Sequence, residues 1–138
     1  MQKRDASADL PRISTLKVDR DCVVHKDLER RYVRHTVSVC RAERFKVLRI
    51  RSCLSARHGV HYYIDITPSL NAKTANELQL LCGDDSRRYG YNKARVESKL
   101  VEWSKLFERP NTRLRTIYHS LSVNSARHSQ HSSRRNRR

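Results

Sequence analysis

The stretch Ser55-Ala56-Arg57-His58-Gly59-Val60-His61-Tyr62-Tyr63-Ile64-Asp65-Ile66 decides the fold, because its second half holds the clearest two-residue periodicity in the chain. Strict alternation of apolar and polar side chains predicts a β-strand with one buried face. We expect the core-facing side to carry Val60, Tyr62, Ile64 and Ile66. The outward side would then carry His61, Tyr63 and Asp65.

Two more strands are predicted upstream of this one, at residues 36–40 and 45–52. Val37 and Val39 share one side of the first, and apolar residues alternate with Lys46, Arg49 and Arg51 in the second. The connection between them is short enough for a hairpin. The three strands together predict a small antiparallel meander in chain order, with one apolar face and one face rich in Arg, His and Tyr.

Helices are predicted on both sides of this meander. The first begins at Asp21 as N-cap, with Val24, Leu28 and Tyr32 as its apolar stripe. Its opposite face is basic and holds Lys26, Arg30, Arg31 and Arg34. Pro68 should end the central strand.

Three helices are predicted after Pro68. Asn71 and Gly83 are the expected caps of a helix over residues 71–82, which a polar loop over 83–90 follows. A longer helix is expected over residues 92–107. Residues 113–121 fit either a helix or a strand, and we favour a helix. The apolar stripe of the longer helix is Val96, Leu100, Trp103 and Phe107.

These elements predict an α+β fold in one domain, with an antiparallel sheet of about three strands and three to four helices. The domain would span residues 21–121. Residues 1–20 are expected to form a flexible arm with a short ordered piece at 13–18. Residues 122–138 contain Arg, Ser and His without any acidic residue, which is typical of a disordered basic tail.

The charge balance of 30 Lys and Arg against 14 Asp and Glu, a formal net charge of +16, indicates a polyanionic partner. Nucleic acid is the first expectation, RNA or DNA, and no membrane is expected. The sequence has no apolar run of membrane-spanning length and no signal peptide, so we expect an intracellular protein. The four cysteines are widely spaced and are expected to be buried and reduced.

The turn that leads into the central strand has the pattern Ser-x-x-x-Gly-x-His, at Ser55, Gly59 and His61. It resembles the second motif of the archaeo-eukaryotic primase–polymerase superfamily, a Ser-Gly-x-x-Gly-x-His turn, with Ala56 in place of the first glycine. The resemblance implies that Ser55 and His61 contact nucleotide phosphates while Gly59 lets the backbone approach them. A glycine-containing turn also exposes backbone N–H groups to an anion on physical grounds alone.

The same resemblance implies carboxylates that hold two Mg²⁺ or Mn²⁺ ions. Asp19 and Asp21 have the spacing of the upstream pair, and Asp65 is the downstream candidate beside His61. A metal-dependent nucleotidyltransferase, or an inactive relative of one, is therefore an alternative to a binding protein. No cofactor is expected for the binding protein itself.

Three other groups of residues have side chains suited to a metal or phosphate site. Asp84 and Asp85 lie beside Arg87 and Arg88, where acids and bases of a loop would also neutralise one another. Two pairs have zinc-ligand spacing, Cys22 with His25 and His58 with His61. The first pair lies in a predicted helix, however, and the second spans a turn and a strand. We favour the structural interpretation for all three, and expect no metal.

We therefore predict a nucleic-acid-binding protein that contacts mainly the phosphate backbone. A small basic domain with a basic tail is common among viral and mobile-element proteins and among structural subunits of ribonucleoproteins. A homodimer and a ribonucleoprotein assembly are the two alternatives for its association. The predicted binding residues come from the sheet, its turn, the loop and the tail: Arg49, Arg51, Ser55, Arg57, His58, Gly59, His61, Tyr63, Arg87, Arg88, Arg134, Arg135, Arg137 and Arg138.

Overall fold

An antiparallel sheet of four strands and three α-helices make up the computed structural model, which describes residues 6–22, 25–55, 59–108 and 112–120. The strands are Ile13–Arg20 (β1), Lys46–Leu54 (β2), Val60–Leu70 (β3) and Arg115–His119 (β4). The helices are Lys26–Ala42 (α1), Ala72–Leu81 (α2) and Ser86–Glu97 (α3), and a short 3-10 helix, Ala6–Asp9, precedes β1. The predicted α+β class is confirmed.

The predicted central strand lies inside the sheet, whose strand order is β1-β3-β2-β4. Ile64 of β3 is opposite Leu16 of β1 and Ile50 of β2, and all three side chains are fully buried. The apolar face of the sheet therefore meets the helices across a continuous core. On this face Tyr32 of α1 stacks on Tyr62, with ring centroids 3.8 Å apart.

The sheet differs from the predicted meander because α1 absorbs one of the predicted strands. Residues 36–40 continue the helix, which buries Tyr32, Thr36 and Cys40 four residues apart. The pattern of Val37 and Val39 fits a strand only when those five residues are considered alone. Over the whole helix, a period of 3.6 residues gives one buried stripe, and that longer pattern prevails. The helix begins at Lys26 with His25 as its N-cap, four residues after the predicted N-cap Asp21.

The two edge strands were not predicted. Residues 13–20 form β1 and pair along β3, so the short ordered piece expected at 13–18 is part of a longer strand and the predicted flexible arm does not extend over it. The helix predicted over residues 113–121 is also wrong, because residues 115–119 form β4 on the outer edge of β2. Short edge strands depend on a partner strand for their backbone hydrogen bonds, and the sequence does not reveal that partner.

The strand over residues 45–52 and the helix over residues 71–82 are confirmed as β2 and α2. Asn71 caps α2 by accepting a hydrogen bond from the Thr74 amide at 2.8 Å. Gly83 follows the helix with φ 94°, a conformation that glycine adopts without strain. Strand β3 runs beyond Pro68 to Leu70, although Pro68 was expected to end it.

The third helix is earlier and shorter than predicted. It begins at Ser86 with Asp85 as its N-cap, within the predicted loop over 83–90, and ends at Glu97 rather than at residue 107. Lys99 has φ 59° and ends the helix, with the Leu100 amide donating to the Arg95 carbonyl at 3.0 Å. Val96 and Trp103 are buried, whereas Leu100 and Phe107 are exposed.

The chain that follows α3 covers part of the second face of the sheet. This polar face carries these residues of β1, β2 and β3: Lys17, Asp19, Arg49, Arg51, Cys53, His61, Tyr63 and Asp65. Trp103 lines a cavity with Thr15 and Tyr63, and Glu108 contacts Cys53 and Tyr63. The outward face of the predicted strand is therefore only partly open to solvent.

Candidate nucleic-acid interface

The predicted phosphate-binding turn is closed by its own serine. The Gly59 amide donates to the Ser55 hydroxyl at 2.7 Å, and the Ser55 amide donates to the Gly59 carbonyl at 2.9 Å. The hydroxyl that was expected to meet a phosphate therefore holds the turn together. Arg57 and His58, which complete the predicted set at this turn, lie outside the described residues.

Gly59 is required at this turn because another strand lies directly against it. A Cβ atom built there would be 2.6 Å from the Arg20 carbonyl oxygen and 3.0 Å from the Ser55 hydroxyl. The first distance is far below van der Waals contact, and the atom it meets belongs to the backbone of β1. Gly59 therefore lets β1 and the start of β3 approach each other.

We expect Gly59→Ala to destabilise the fold by about 1–3 kcal/mol, the usual cost of forcing a methyl group into a closely packed site. Gly90→Ala is the matched control, because a Cβ at Gly90 meets nothing within 4 Å. In the interior of α3 that change should stabilise the fold by about 0.5–1 kcal/mol. Urea unfolding of both variants measures the difference. A neutral Gly59→Ala would mean that β1 does not lie against the turn.

His61 is buried rather than displayed to solvent. It is 3% exposed, and its two ring nitrogens face carboxylates on opposite sides. Nε2 is 3.5 Å from Asp19 Oδ1, and Nδ1 is 3.8 Å from Glu108 Oε1. His61 is therefore placed to interact with groups of this chain, and it does not offer an open surface to a nucleic acid.

Asp65 organises the two predicted sheet arginines. Its carboxylate accepts from Arg49 Nε at 2.7 Å, from Arg51 Nη2 at 3.3 Å and from the Thr15 hydroxyl at 2.8 Å. Burial alone would raise the pKa of Asp65, but the Thr15 hydrogen bond and the two guanidinium groups hold it below its ordinary value. The side chain of Arg49 is 41% exposed and that of Arg51 25% exposed, so Arg49 is the more accessible of the two.

The carboxylates that would serve the enzyme alternative are not brought together. Asp19 is opposite His61 in the sheet, whereas Asp65 is opposite Thr15. Four residues along β3 separate these positions by about 13 Å. Paired metal ions in nucleotidyl-transfer sites are only about 4 Å apart. Asp21 follows the end of β1 and is exposed.

Arg87 and Arg88 have opposite environments although they are neighbours in sequence. Arg88 is largely buried and pairs with the fully buried Asp84 at 2.7 Å. Its guanidinium also donates to the Lys17 and Ser104 carbonyl oxygens, which ties α3 to β1 and to the chain after α3. The side chain of Arg87 is 85% exposed and is the one available to a ligand.

The outer surface of α1 holds an exposed row of cations. Lys26, Arg30, Arg34 and Arg41 are all exposed, and at 3.6 residues per turn they lie within an arc of about 80°. We call these four residues the basic face of α1. Three of the four cations predicted for this helix belong to it, and the structure adds Arg41.

A basic cavity adjoins each end of this helix. The N-terminal basic cavity, about 350 Å³, has Arg20, His25, Arg31 and His35 in its wall, with Glu29 as the acidic residue. The Arg20 guanidinium lies over the Tyr32 ring, 5.2 Å from its centroid. The C-terminal basic cavity, about 320 Å³, has Arg41, Arg44 and Lys46 as its charged residues.

Sequence reasoning missed both cavities because the N-terminal one joins segments that are distant in the chain, and the C-terminal one is completed by Tyr118 of β4. Arg20 comes from β1, His35 from the middle of α1, and Gly83 from the turn after α2. The one available signal was the predicted basic helix face. The tail residues Arg134, Arg135, Arg137 and Arg138 lie outside the described residues.

Among the described residues, no helix has the length and apolar character needed to cross a membrane. No protein-family model, curated protein or solved structure matches the chain.

Proposed function

We propose that the protein binds nucleic acid through phosphate contacts on the outer surface of α1. The observation that carries the proposal is the basic face of α1, whose four cations are exposed and form no ion pair with a described residue. A row of Lys and Arg along one helix attracts a phosphate backbone and releases its counterions. The formal net charge of +16 favours the same class of partner.

The two basic cavities support this location. They lie at the two ends of α1, and ten residues of helix between Arg31 and Arg41 span about 15 Å. A larger cavity of about 510 Å³ between α2 and α3 provides the comparison, since its lining holds two lysines and two glutamates, whose charges balance. Of these three cavities, only the two beside α1 have an excess of positive charge, and successive phosphates of one strand can be bound there.

Some of the residues predicted from the sequence remain in this proposal. Arg49 and Arg87 are exposed enough to reach phosphates beyond α1. His61 and Arg88 act inside the protein, and Ser55 closes its turn, so we assign none of these three a direct contact.

We expect the double variant Arg30→Ala/Arg34→Ala to bind nucleic acid more weakly and with a shallower salt dependence. Each lost phosphate contact lowers the slope of log K against log salt by about 1, so the pair should lower it by about 2. Lys93→Ala/Arg95→Ala removes the same charge from the exposed surface of α3 and should leave the slope nearly unchanged. Fluorescence anisotropy with single- and double-stranded RNA and DNA, from low to physiological salt, gives the slopes.

Equal slopes for the two double variants would contradict a site on α1 and leave only attraction by net charge. A wild-type affinity that does not change with salt would contradict phosphate-driven binding altogether. The affinities for the four oligonucleotides also show which nucleic acid is preferred. Phosphate contacts alone bind RNA and DNA alike, so a difference in affinity would report a preference for one strand conformation.

A further inference from the structure

A thiol, an imidazole and a carboxylate converge on the polar face of the sheet, away from α1. Cys53 of β2 and His61 of β3 are directly opposite each other in the strand register. Glu108 reaches them from the chain after α3. One ligand atom from each residue lies within 4.8 Å of the others, which is the only such group found among the described residues.

Two distances within this group are close to those of a tetrahedral metal site, and the third is at most 4.8 Å. Cys53 Sγ is 3.4 Å from Glu108 Oε1, and His61 Nδ1 is 3.8 Å from the same oxygen. Zinc bonds of about 2.3 Å to sulfur and about 2.0–2.1 Å to nitrogen and oxygen, at tetrahedral angles, separate such atoms by about 3.4–3.6 Å. A single ion fits between these atoms with small side-chain adjustments.

The environment of His61 gives an independent indication of a ligand. Its side chain is 4% exposed, and Nδ1 is buried without a hydrogen-bond partner among the described residues. Nδ1 is the nitrogen that faces Glu108, while Nε2 faces the Asp19 carboxylate. Histidines that bind metals commonly give their second nitrogen to a carboxylate, which fixes the tautomer and the ring orientation.

Glu108 is oriented in a comparable way. The Tyr63 hydroxyl donates a hydrogen bond to Glu108 Oε1. Asp19 and Tyr63 would therefore act as positioning residues, one for the imidazole and one for the carboxylate. A metal at this point would also fasten the chain after α3 to strands β2 and β3.

We propose that Cys53, His61 and Glu108 bind one Zn²⁺ ion through Sγ, Nδ1 and a carboxylate oxygen, with water in the fourth position. Thiolate and imidazole ligands favour zinc over Mg²⁺, which prefers oxygen ligands. Binding requires the Cys53 thiolate, so the thiol proton is released to solvent as the Zn–S bond forms. The site is separate from the proposed nucleic-acid surface on α1.

Cobalt titration of the full-length, chelator-treated protein under reducing conditions tests this site. One equivalent of Co²⁺ should give a thiolate-to-cobalt charge-transfer band, and Zn²⁺ should abolish it. The band reports a bound cysteine, so histidines elsewhere in the chain do not produce it. Cys53→Ser should lose the band, whereas the matched control Cys22→Ser, outside the group, should keep it.

Glu108→Gln tests the same site at a side chain that is less buried than that of His61, so the variant protein should keep its fold more easily. Its affinity for Co²⁺ should fall by more than about tenfold, and Asp19→Asn should lose about 10- to 100-fold as a positioning variant. Circular dichroism shows whether each variant is folded. The proposal is overturned if folded wild-type protein gives no charge-transfer band, if Cys22→Ser removes the band, or if folded Glu108→Gln binds as tightly as the wild type.

Discussion

Trp103→Ala should destabilise the protein by about 3–5 kcal/mol, the range expected when a fully buried tryptophan is truncated. Trp103 is 1% exposed and belongs to the main hydrophobic core, although it lies outside every helix and strand. Its ring lines a cavity of about 360 Å³ with Thr15 and Tyr63. Removing it would enlarge that cavity and loosen the chain that covers the polar face.

Phe107→Ala is the control for this experiment. Phe107 is 77% exposed, so its truncation should change the free energy of unfolding by no more than about 0.5 kcal/mol. The sequence placed both residues on one buried stripe of a helix over residues 92–107. Urea unfolding distinguishes the two arrangements, because similar losses for the two variants would support the longer helix and contradict the observed turn after Glu97.

Arg88→Met should cost about 3–5 kcal/mol at neutral pH, because it leaves the buried Asp84 carboxylate without its counter-charge. Methionine keeps most of the side-chain volume but removes the guanidinium donors to Asp84, Lys17 and Ser104. Arg87→Met is the matched control, since that side chain is 85% exposed and should lose no more than about 0.5 kcal/mol. Equal effects would mean that Arg88 is not buried.

The loss of stability in Arg88→Met should also depend on pH. Burial raises the pKa of Asp84 above its ordinary value, although the Arg88 charge and hydrogen bonds lower it in part. Without Arg88 the pKa should rise further. The folded state then binds a proton that the unfolded state has already released, so stability decreases as pH rises between the two pKa values. The deficit of the variant should shrink in acid.

A second substitution separates the effect of the buried Asp84 charge on stability from the effect of the lost hydrogen bonds. Asp84→Asn in the Arg88→Met background removes the buried charge but keeps an oxygen that can accept from the Asp19 amide, now 2.9 Å from Asp84 Oδ1. We expect it to restore part of the stability at neutral pH and to remove most of the pH dependence. If the double variant is as unstable as Arg88→Met, the lost stability comes instead from the hydrogen bonds of Arg88 to the Lys17 and Ser104 carbonyl oxygens.

The sequence predicted those elements whose signals are local. Alternation from Val60 to Ile66 identified β3, and Asn71 with Gly83 bounded α2 to within one residue. The basic side of α1 followed from its composition, although the start of the helix did not. In each case the side chains that determine the structure lie within a few residues of one another, so the pattern can be recognised without knowing the tertiary fold.

The misplaced elements had signals that fit two structures. Residues 36–40 and 115–119 are short enough to match both helical and strand periods, and only their contacts distinguish the two. Val96, Leu100, Trp103 and Phe107 have helical spacing, yet Trp103 reaches the core from a turn and Phe107 faces solvent. Hydrophobic spacing shows which residues are apolar, but it does not show which of them become buried.

The sequence by itself determined the α+β class, the core face of β3 and an excess of positive charge that includes the exposed row on α1. Only the tertiary structure decided that His61 is buried, that Arg88 pairs inside the protein and that Glu108 joins Cys53. The physical reason is distance along the chain: Glu108 meets residues 45 and 55 positions away. Such contacts depend on the path of the segment after α3 across the sheet, and no local pattern specifies that path.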